Sequence, residues 1–354
     1  MIALPLLPGN VDSDDTYRWR QETLQNRDNL HIFRINLFQA GVGAGFYHYL
    51  VYNPAHHNQE MVTVNVGERF DAFLENLKIT NEQGQDGKTK YKGVTGSLNR
   101  NYYGTQSDTL NSKLVGSWGK LTRVRPPRDI DLLYVLPYSV YTRFQTRFGN
   151  KQSQLLQEVK NVLLGTYNNT DVGGDRQVVL VPFASYKVEV VPAFNGANGQ
   201  YVICDTNGGG RYKSFDPVAE VANLDSSDKK TNGNTRRLIR MMKCWQGYCN
   251  VPLKSFHIEL LAIEFLNGFQ YAANSTVYFD WMVRDFVKFL MGKAGGYVFA
   301  PGTNELLWLG SDWKTKSESA LGRAEKACEN ESQHWGYLAG EEWQKIFGTQ
   351  IPTG

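Results

Sequence analysis

No run of apolar residues in this 354-residue chain approaches the roughly 18 that a membrane-spanning helix needs, so no membrane partner is expected. The start, Met1-Ile-Ala-Leu-Pro-Leu-Leu-Pro8, lacks the basic region that opens a signal peptide. Cysteine is scarce. Cys204, Cys244, Cys249 and Cys328 are the four present, and none forms a CxxC pair. That excludes a disulfide-stapled scaffold or zinc ribbon as the expected class and makes a reducing cytoplasm the expected compartment. An excess of either charge is also missing. The 38 Lys and Arg nearly balance 35 Asp and Glu, for a formal charge of +3. Dedicated nucleic-acid binders are far more basic, so nucleic acid is not a required partner. What remains is 41% hydrophobic and 21% charged, an ordinary globular composition, at a length that suits two lobes.

Three segments follow from the patterning: an N-terminal extension over 1–60, a mixed α/β core over 61–225, and a helical lobe with a C-terminal tail over 226–354. Arg18 to Phe38 shows roughly helical spacing, and His56-His57 lacks any further ligand at metal-site spacing. Phe70, Phe73, Leu74 and Leu77 recur at three and four, predicting a helix over 66–79. Thr80 with Gln83 forms a capping-box signature for the next helix, which Gly84 and Gly87 weaken. Strands are predicted over 113–117, 130–136, 177–181, 186–191 and 201–204, with a helix over 152–164. Helices are predicted over 234–248, 255–266, 278–291 and, largely, 317–347.

The chemistry concentrates in three places. Gly116-Ser117 follows the apolar pair Leu114-Val115, a step that can present N–H groups and a hydroxyl to a phosphate. Asp129-Ile130-Asp131 lies in a predicted strand, where residues two apart share a face. Adjacent carboxylates repel unless a cation neutralises them, and Mg2+ prefers such oxygen ligands. An Asp-x-Asp on a solvated edge strand, paired with Arg125 or Arg128, would read the same way. Glu189 is a lone acid in the apolar strand Lys187-Val-Glu-Val-Val191, and a buried acid demands a partner or a metal. Its alternative is a solvent-facing residue sharing a face with Lys187. The order of the three, a Gly-Ser turn, then Asp-x-Asp, then an acid on a later strand, resembles the order found in polymerase-β-type transferases.

Residues 111 to 267 resemble the cGAS/DncV-like nucleotidyltransferases, the CD-NTases of bacterial anti-phage signalling, and more distantly the oligoadenylate synthases. Gly116-Ser-Trp-Gly-Lys120 with Asp129-Ile-Asp131 resembles that family's first motif. Lys187-Val-Glu-Val-Val-Pro-Ala-Phe194 resembles its third-carboxylate strand, with Glu189 where many members carry Asp. Cys204-Asp205-Thr206 through Arg211-Tyr212 is similar to the loop that follows. Leu238-Ile-Arg-Met-Met-Lys-Cys-Trp245 is similar to the family's Leu-Ile-Arg-x-x-Lys-x-Trp helix, and Lys254-Ser255-Phe256-His257 to its next helix start. Trp343 to Gly348 with Ile351-Pro352 fits its closing pattern.

The resemblance implies an α/β (α+β) fold, a polymerase-β-like core with a mixed sheet plus a helical lobe. It also implies two Mg2+ ions, with Mn2+ as an alternative, on Asp129, Asp131 and Glu189. ATP, with GTP or another ribonucleoside triphosphate, would be joined into a cyclic oligonucleotide, a purine cyclic dinucleotide such as cyclic GMP-AMP being favoured, in anti-phage defence. Gly116, Ser117, Lys243 and Ser255 would contact phosphates, although Ser255 also suits a helix cap and Lys243 a solvated helix face. Tyr212 is the candidate base-stacking ring. Gly354, in a tail expected to be mobile, is the candidate residue for conjugation by a ubiquitin-transfer-like operon partner. Two other readings stay open. One is an RNA- or tRNA-directed transferase using a surface of Lys113, Lys120, Arg123, Arg125 and Arg128. The other is a nucleotide-sensing homologue without turnover.

Overall fold

The computed structural model describes residues 65–354 except 169 and 176, and, before residue 65, only the backbone of three strands. These are β1 (Tyr17–Arg27), β2 (Leu30–Gln39) and β3 (Gly45–Tyr52), an antiparallel meander. The helical spacing expected over Arg18–Phe38 is therefore overturned. Phe33-Arg-Ile-Asn-Leu37 alternates with period two, and a register shift between Thr23 and Gln25 hides the alternation upstream. His56-His57 lies outside the described residues.

Helix α1 (Val66–Asn76) is closed by a capping box between Asn65 and Glu68. Helix α2 (Asn81–Tyr103) has the predicted one, Thr80 with Gln83. Gly87 does not merely weaken α2. A Cβ there would meet the Trp118 ring at 2.5 Å, so the glycine lets the helix lie against the sheet. Next come β4 (Ser112–Leu114), α3 (Gly116–Gly119), β5 (Asp129–Val135), α4 (Tyr138–Gln145) and α5 (Lys151–Leu164). They are followed by β6 (Gly173–Asp175), β7 (Val178–Pro182), β8 (Lys187–Asn195), β9 (Tyr201–Asp205) and β10 (Arg211–Phe215). The strands form a mixed sheet in the order β10-β9-β8-β5-β4, with β7 also paired to β8 and β6 to β7. β5 and β8 are parallel, and the other pairs are antiparallel. One sheet face packs on α2 and α5 through Val94, Leu98, Leu155, Val159, Ile130 and Val188.

The helical lobe holds α6 (Pro217–Lys230), α7 (Asn234–Tyr248), α8 (Ser255–Leu266) and α9 (Phe279–Met291). A hairpin follows, β11 (Tyr297–Phe299) and β12 (Leu306–Trp308), then α10 (Lys314–Ser332) and α11 (Gly336–Phe347). α7 and α8 match their predicted limits. The hairpin was not anticipated, and the single stretch 317–347 is two helices. Phe70, Phe73 and Leu77, at the start of the 61–225 segment, pack with Trp245, Trp343 and Phe347, so α1 shares the core of the helical lobe.

The C-terminal tail is held, which corrects the expected mobility. Arg69 is fully buried and donates to the carbonyls of Pro352 and Thr353, each at 2.8 Å, and to Gly336 at 2.6 Å. Its Nε bonds Glu331 at 2.9 Å. Gly354 is exposed beyond this clamp.

Asp280, in the first turn of α9, is 4% exposed, and its Oδ1 has no hydrogen-bond partner. Burial pushes its carboxyl up to about 6. The folded protein thus disfavours ionised Asp280, a penalty absent below about pH 4 and complete above about pH 6. Asp280→Asn is expected to stabilise the protein by about 2 kcal/mol at pH 7.5 and by nothing at pH 4. Thermal melts of both proteins at the two pH values check this.

Candidate active site

The site is built on β5 and β8. Ile130, Leu132, Val188 and Val190 are fully buried beneath the sheet, so strand alternation turns Asp129, Asp131 and Glu189 to the opposite face. The parallel register pairs Asp131 with Glu189 directly. All three carboxylates line a cleft of about 570 Å³ between the sheet and the helical lobe. They share a face and a strand pair rather than a point. Among the described residues, no three His, Cys, Asp or Glu side chains close into a metal-sized cluster.

Gly116 brings the Gly-Ser turn against the first carboxylate strand. Its φ is +53°, and a Cβ would lie 1.9 Å from Asp131 Oδ2. The Val115 amide donates to the Asp131 carbonyl at 3.0 Å, which locks turn and strand together. Ser117 lines the cleft beside them. Burial, and then the neighbouring Asp129 charge, push the Asp131 carboxyl up to about 6 despite Lys243 and Lys120 nearby. Carboxylates outnumber cationic side chains in the lining, seven to six. The lining as a whole is thus slightly acidic, and hard oxygen ligands in such a cleft suit Mg2+.

Lys243 and Ser255 reach the same cleft, but with partners of their own. Lys243 Nζ donates to Glu259 Oε1 at 2.7 Å and to Thr122 Oγ1 at 2.9 Å. It is buried, not a solvated helix lysine. Ser255 does not cap its helix. Lys254 occupies that position, and the Ser255 hydroxyl bonds Gln246 Oε1 at 2.8 Å. Tyr212 is corrected outright. It packs on Tyr141 and Phe194 on the far side of the sheet, where its hydroxyl accepts from Gln145. Phe215, three residues on, is the ring of β10 that lines the cleft.

Of the five cations offered for an RNA-binding surface, Lys113 and Arg128 are exposed and Lys120 is not. Lys120 is 5% exposed, bonded to Glu220 at 2.7 Å and to Glu259 at 2.9 Å. Arg125 donates to the Asn76 carbonyl, and Arg128 turns toward the Lys243 carbonyl.

Glu259 is the residue that reading the sequence missed. It stands in the apolar helix Phe256-His-Ile-Glu-Leu-Leu-Ala-Ile263, the same lone-acid signal that marked Glu189.

A mixed sheet carrying Asp-x-Asp beside a parallel strand with a third acid, backed by a helical lobe, is the polymerase-β-like fold. Residues 64–227 match the family model described as the Second Messenger Oligonucleotide or Dinucleotide Synthetase domain. The chain is 23% identical over 275 residues to a probable cyclic nucleotide synthase of Bacillus cereus, covering 67% of this chain and 81% of that protein. Its fold resembles Escherichia coli MS115-1 CdnC solved with ATP, at a TM-score of 0.60 and 16% identity over 82% of this chain and 99% of that one. It also resembles Vibrio cholerae DncV, a cyclic AMP-GMP synthase solved with a linear intermediate, at a TM-score of 0.54 and 13% identity over 81% and 86% of the two chains. By fold and by the match over residues 64–227 the chain is similar to the CD-NTases, the group to which these solved structures belong. No helix among the described residues is long and apolar enough to cross a membrane.

Proposed function

We propose that this protein joins ribonucleoside triphosphates into a cyclic oligonucleotide, a purine cyclic dinucleotide such as cyclic GMP-AMP, as a signal in anti-phage defence. The observation that carries the proposal is the in-register trio Asp129, Asp131 and Glu189, closed on one side by the Gly116 turn. Relatives support the substrate class: CdnC is described with ATP, Bradyrhizobium diazoefficiens CdnG with GTP, and DncV with a linear dinucleotide.

Two Mg2+ ions on Asp129, Asp131 and Glu189 would acidify the attacking ribose hydroxyl and neutralise charge on the leaving pyrophosphate. The remaining work falls to the chain itself. The Glu189 carboxylate accepts the proton from the attacking hydroxyl. The Ser117 hydroxyl and the N-terminus of α8 donate to triphosphate oxygens. Lys243 commits two of its three N–H donors to Glu259 and Thr122, which leaves one for a phosphate. Catalysis is then mostly positioning and charge stabilisation. For a second bond, the linear product turns over in the same cleft and meets the same carboxylates.

Incubation with all four α-labelled ribonucleoside triphosphates and Mg2+, followed by phosphatase, tests this. Phosphatase-resistant label formed without nucleic acid is the expected result. Label that appears only when RNA is added favours the RNA-directed transferase. Absence of labelled product under every condition contradicts the proposal.

A further inference from the structure

One buried carboxylate joins the two lobes at the floor of the cleft. Glu259, in the second turn of α8 and 4% exposed, accepts from Lys243 Nζ at 2.7 Å, Lys120 Nζ at 2.9 Å and Thr122 Oγ1 at 3.1 Å. Lys120 and Thr122 follow the Gly-Ser turn in the α/β core, whereas Glu259 and Lys243 belong to the helical lobe. The Phe256 ring covers Lys120, 4.2 Å from its ammonium. Burial opposes ionisation of Glu259, yet the two lysines hold its carboxyl down at about 2, so it stays charged.

Such a group is poorly explained by stability. Buried ion pairs are often no more stabilising than apolar side chains of the same volume. What this group supplies is geometry. It fixes two ammonium groups that line the cleft, both close enough to pull down the carboxyl of Asp131. It also ties the loop after the Gly-Ser turn to the start of α8.

We infer that Glu259 is a positioning residue for nucleotidyl transfer: it holds Lys243 and Lys120 where the triphosphate must lie and sets the distance between the Gly-Ser loop and helix α8. The inference rests on the nucleotidyl-transfer reading above. It has a consequence that distinguishes it from a structural role. Removing the Glu259 charge makes the two lysines more attractive to a polyanion and leaves Lys120 held by Glu220 alone and Lys243 by Thr122 alone. Ground-state affinity should therefore rise while turnover falls.

The test compares wild type, Glu259→Gln and Glu259→Asp. It measures the Kd of a nonhydrolysable ATP analogue with Mg2+, the kcat for pyrophosphate release, and the thermal melt. In Glu259→Gln the analogue is expected to bind about three- to ten-fold tighter, since one repelling charge is gone. The kcat is expected to fall at least about ten-fold, since the lysines are misplaced. Glu259→Asp restores the charge and should recover part of the kcat. Should Glu259→Gln fail to fold, Thr122→Val removes the shared hydroxyl without touching a charge. It should lower kcat several-fold with the melt held within a few degrees. Wild-type kcat in the variant that folds overturns the inference, as does a loss of kcat and affinity in parallel with lost folded protein. Wild type that binds the analogue but releases no pyrophosphate contradicts the nucleotidyl-transfer reading. Glu259→Gln that binds the analogue as wild type does contradicts the Glu259 assignment alone.

Discussion

Asp131→Asn is expected to reduce pyrophosphate release from ribonucleoside triphosphates by at least about a thousand-fold, roughly 4 kcal/mol of transition-state stabilisation. Its thermal melt at pH 7.5 should stay level or rise. Both halves follow from the position of the side chain. Asp131 is paired in register with Glu189 and flanked on its own strand face by Asp129, so an amide there removes a charged oxygen ligand from the centre of the trio. The same carboxylate is partly buried, and burial with the Asp129 charge disfavours its ionised form. An isosteric neutral group relieves that penalty instead of adding one. Turnover near wild type in Asp131→Asn would remove the metal assignment. A collapse of the melt would mean that the carboxylate holds the fold together.

Gly116→Ala is expected to cost a smaller but still large share of activity while leaving all three carboxylates in the chain. Two penalties coincide at this position. The backbone φ of +53° is one that residues with a Cβ rarely adopt. The added methyl would also lie 1.9 Å from Asp131 Oδ2 and 2.6 Å from its Cγ, so either the turn or the carboxylate must move. A shift of about 1 Å in a reacting group costs on the order of a hundred-fold in rate, and that is the expected loss in kcat. The strained turn is expected to lower stability by about 1–3 kcal/mol. Steady-state kinetics alongside a denaturant titration separate the two. A Gly116→Ala enzyme with unchanged kcat would show that the turn does not set Asp131.

Much of this was legible because it depends on local rules. Capping boxes act over three residues, so Thr80-Gln83 located the start of α2 from sequence. Alternation acts over two residues, so Asp129-x-Asp131 and the lone Glu189 showed themselves once their strands were recognised. Other features needed tertiary partners. Tyr212 was misplaced because β10 was not recognised as a strand. Its pairing sets Tyr212 opposite Cys204, which is fully buried in the far-side core, and so turns Phe215 to the cleft instead. Lys120 read as part of a basic surface because Glu259 and Glu220, which neutralise it, lie about a hundred or more residues downstream. The tail read as mobile because the buried Arg69 that holds it sits at the other end of the described chain. Polar groups that look exposed in a one-dimensional pattern are assigned by partners far along the chain. The two aspartates escaped that difficulty because strand parity put them on one face, whereas the place of Glu189 beside them depends on the parallel register of β5 and β8.

The most direct measurement is the number of Mn2+ ions bound per chain in the presence of a nonhydrolysable ATP analogue, read by electron paramagnetic resonance. Mn2+ substitutes for Mg2+ in oxygen-ligand sites. Two ions per wild-type chain, falling to one or none in Asp131→Asn with the analogue still bound, is the expected result. An equal count in wild type and Asp131→Asn, or no bound Mn2+ in either, would contradict the assignment of Asp129, Asp131 and Glu189 as metal ligands.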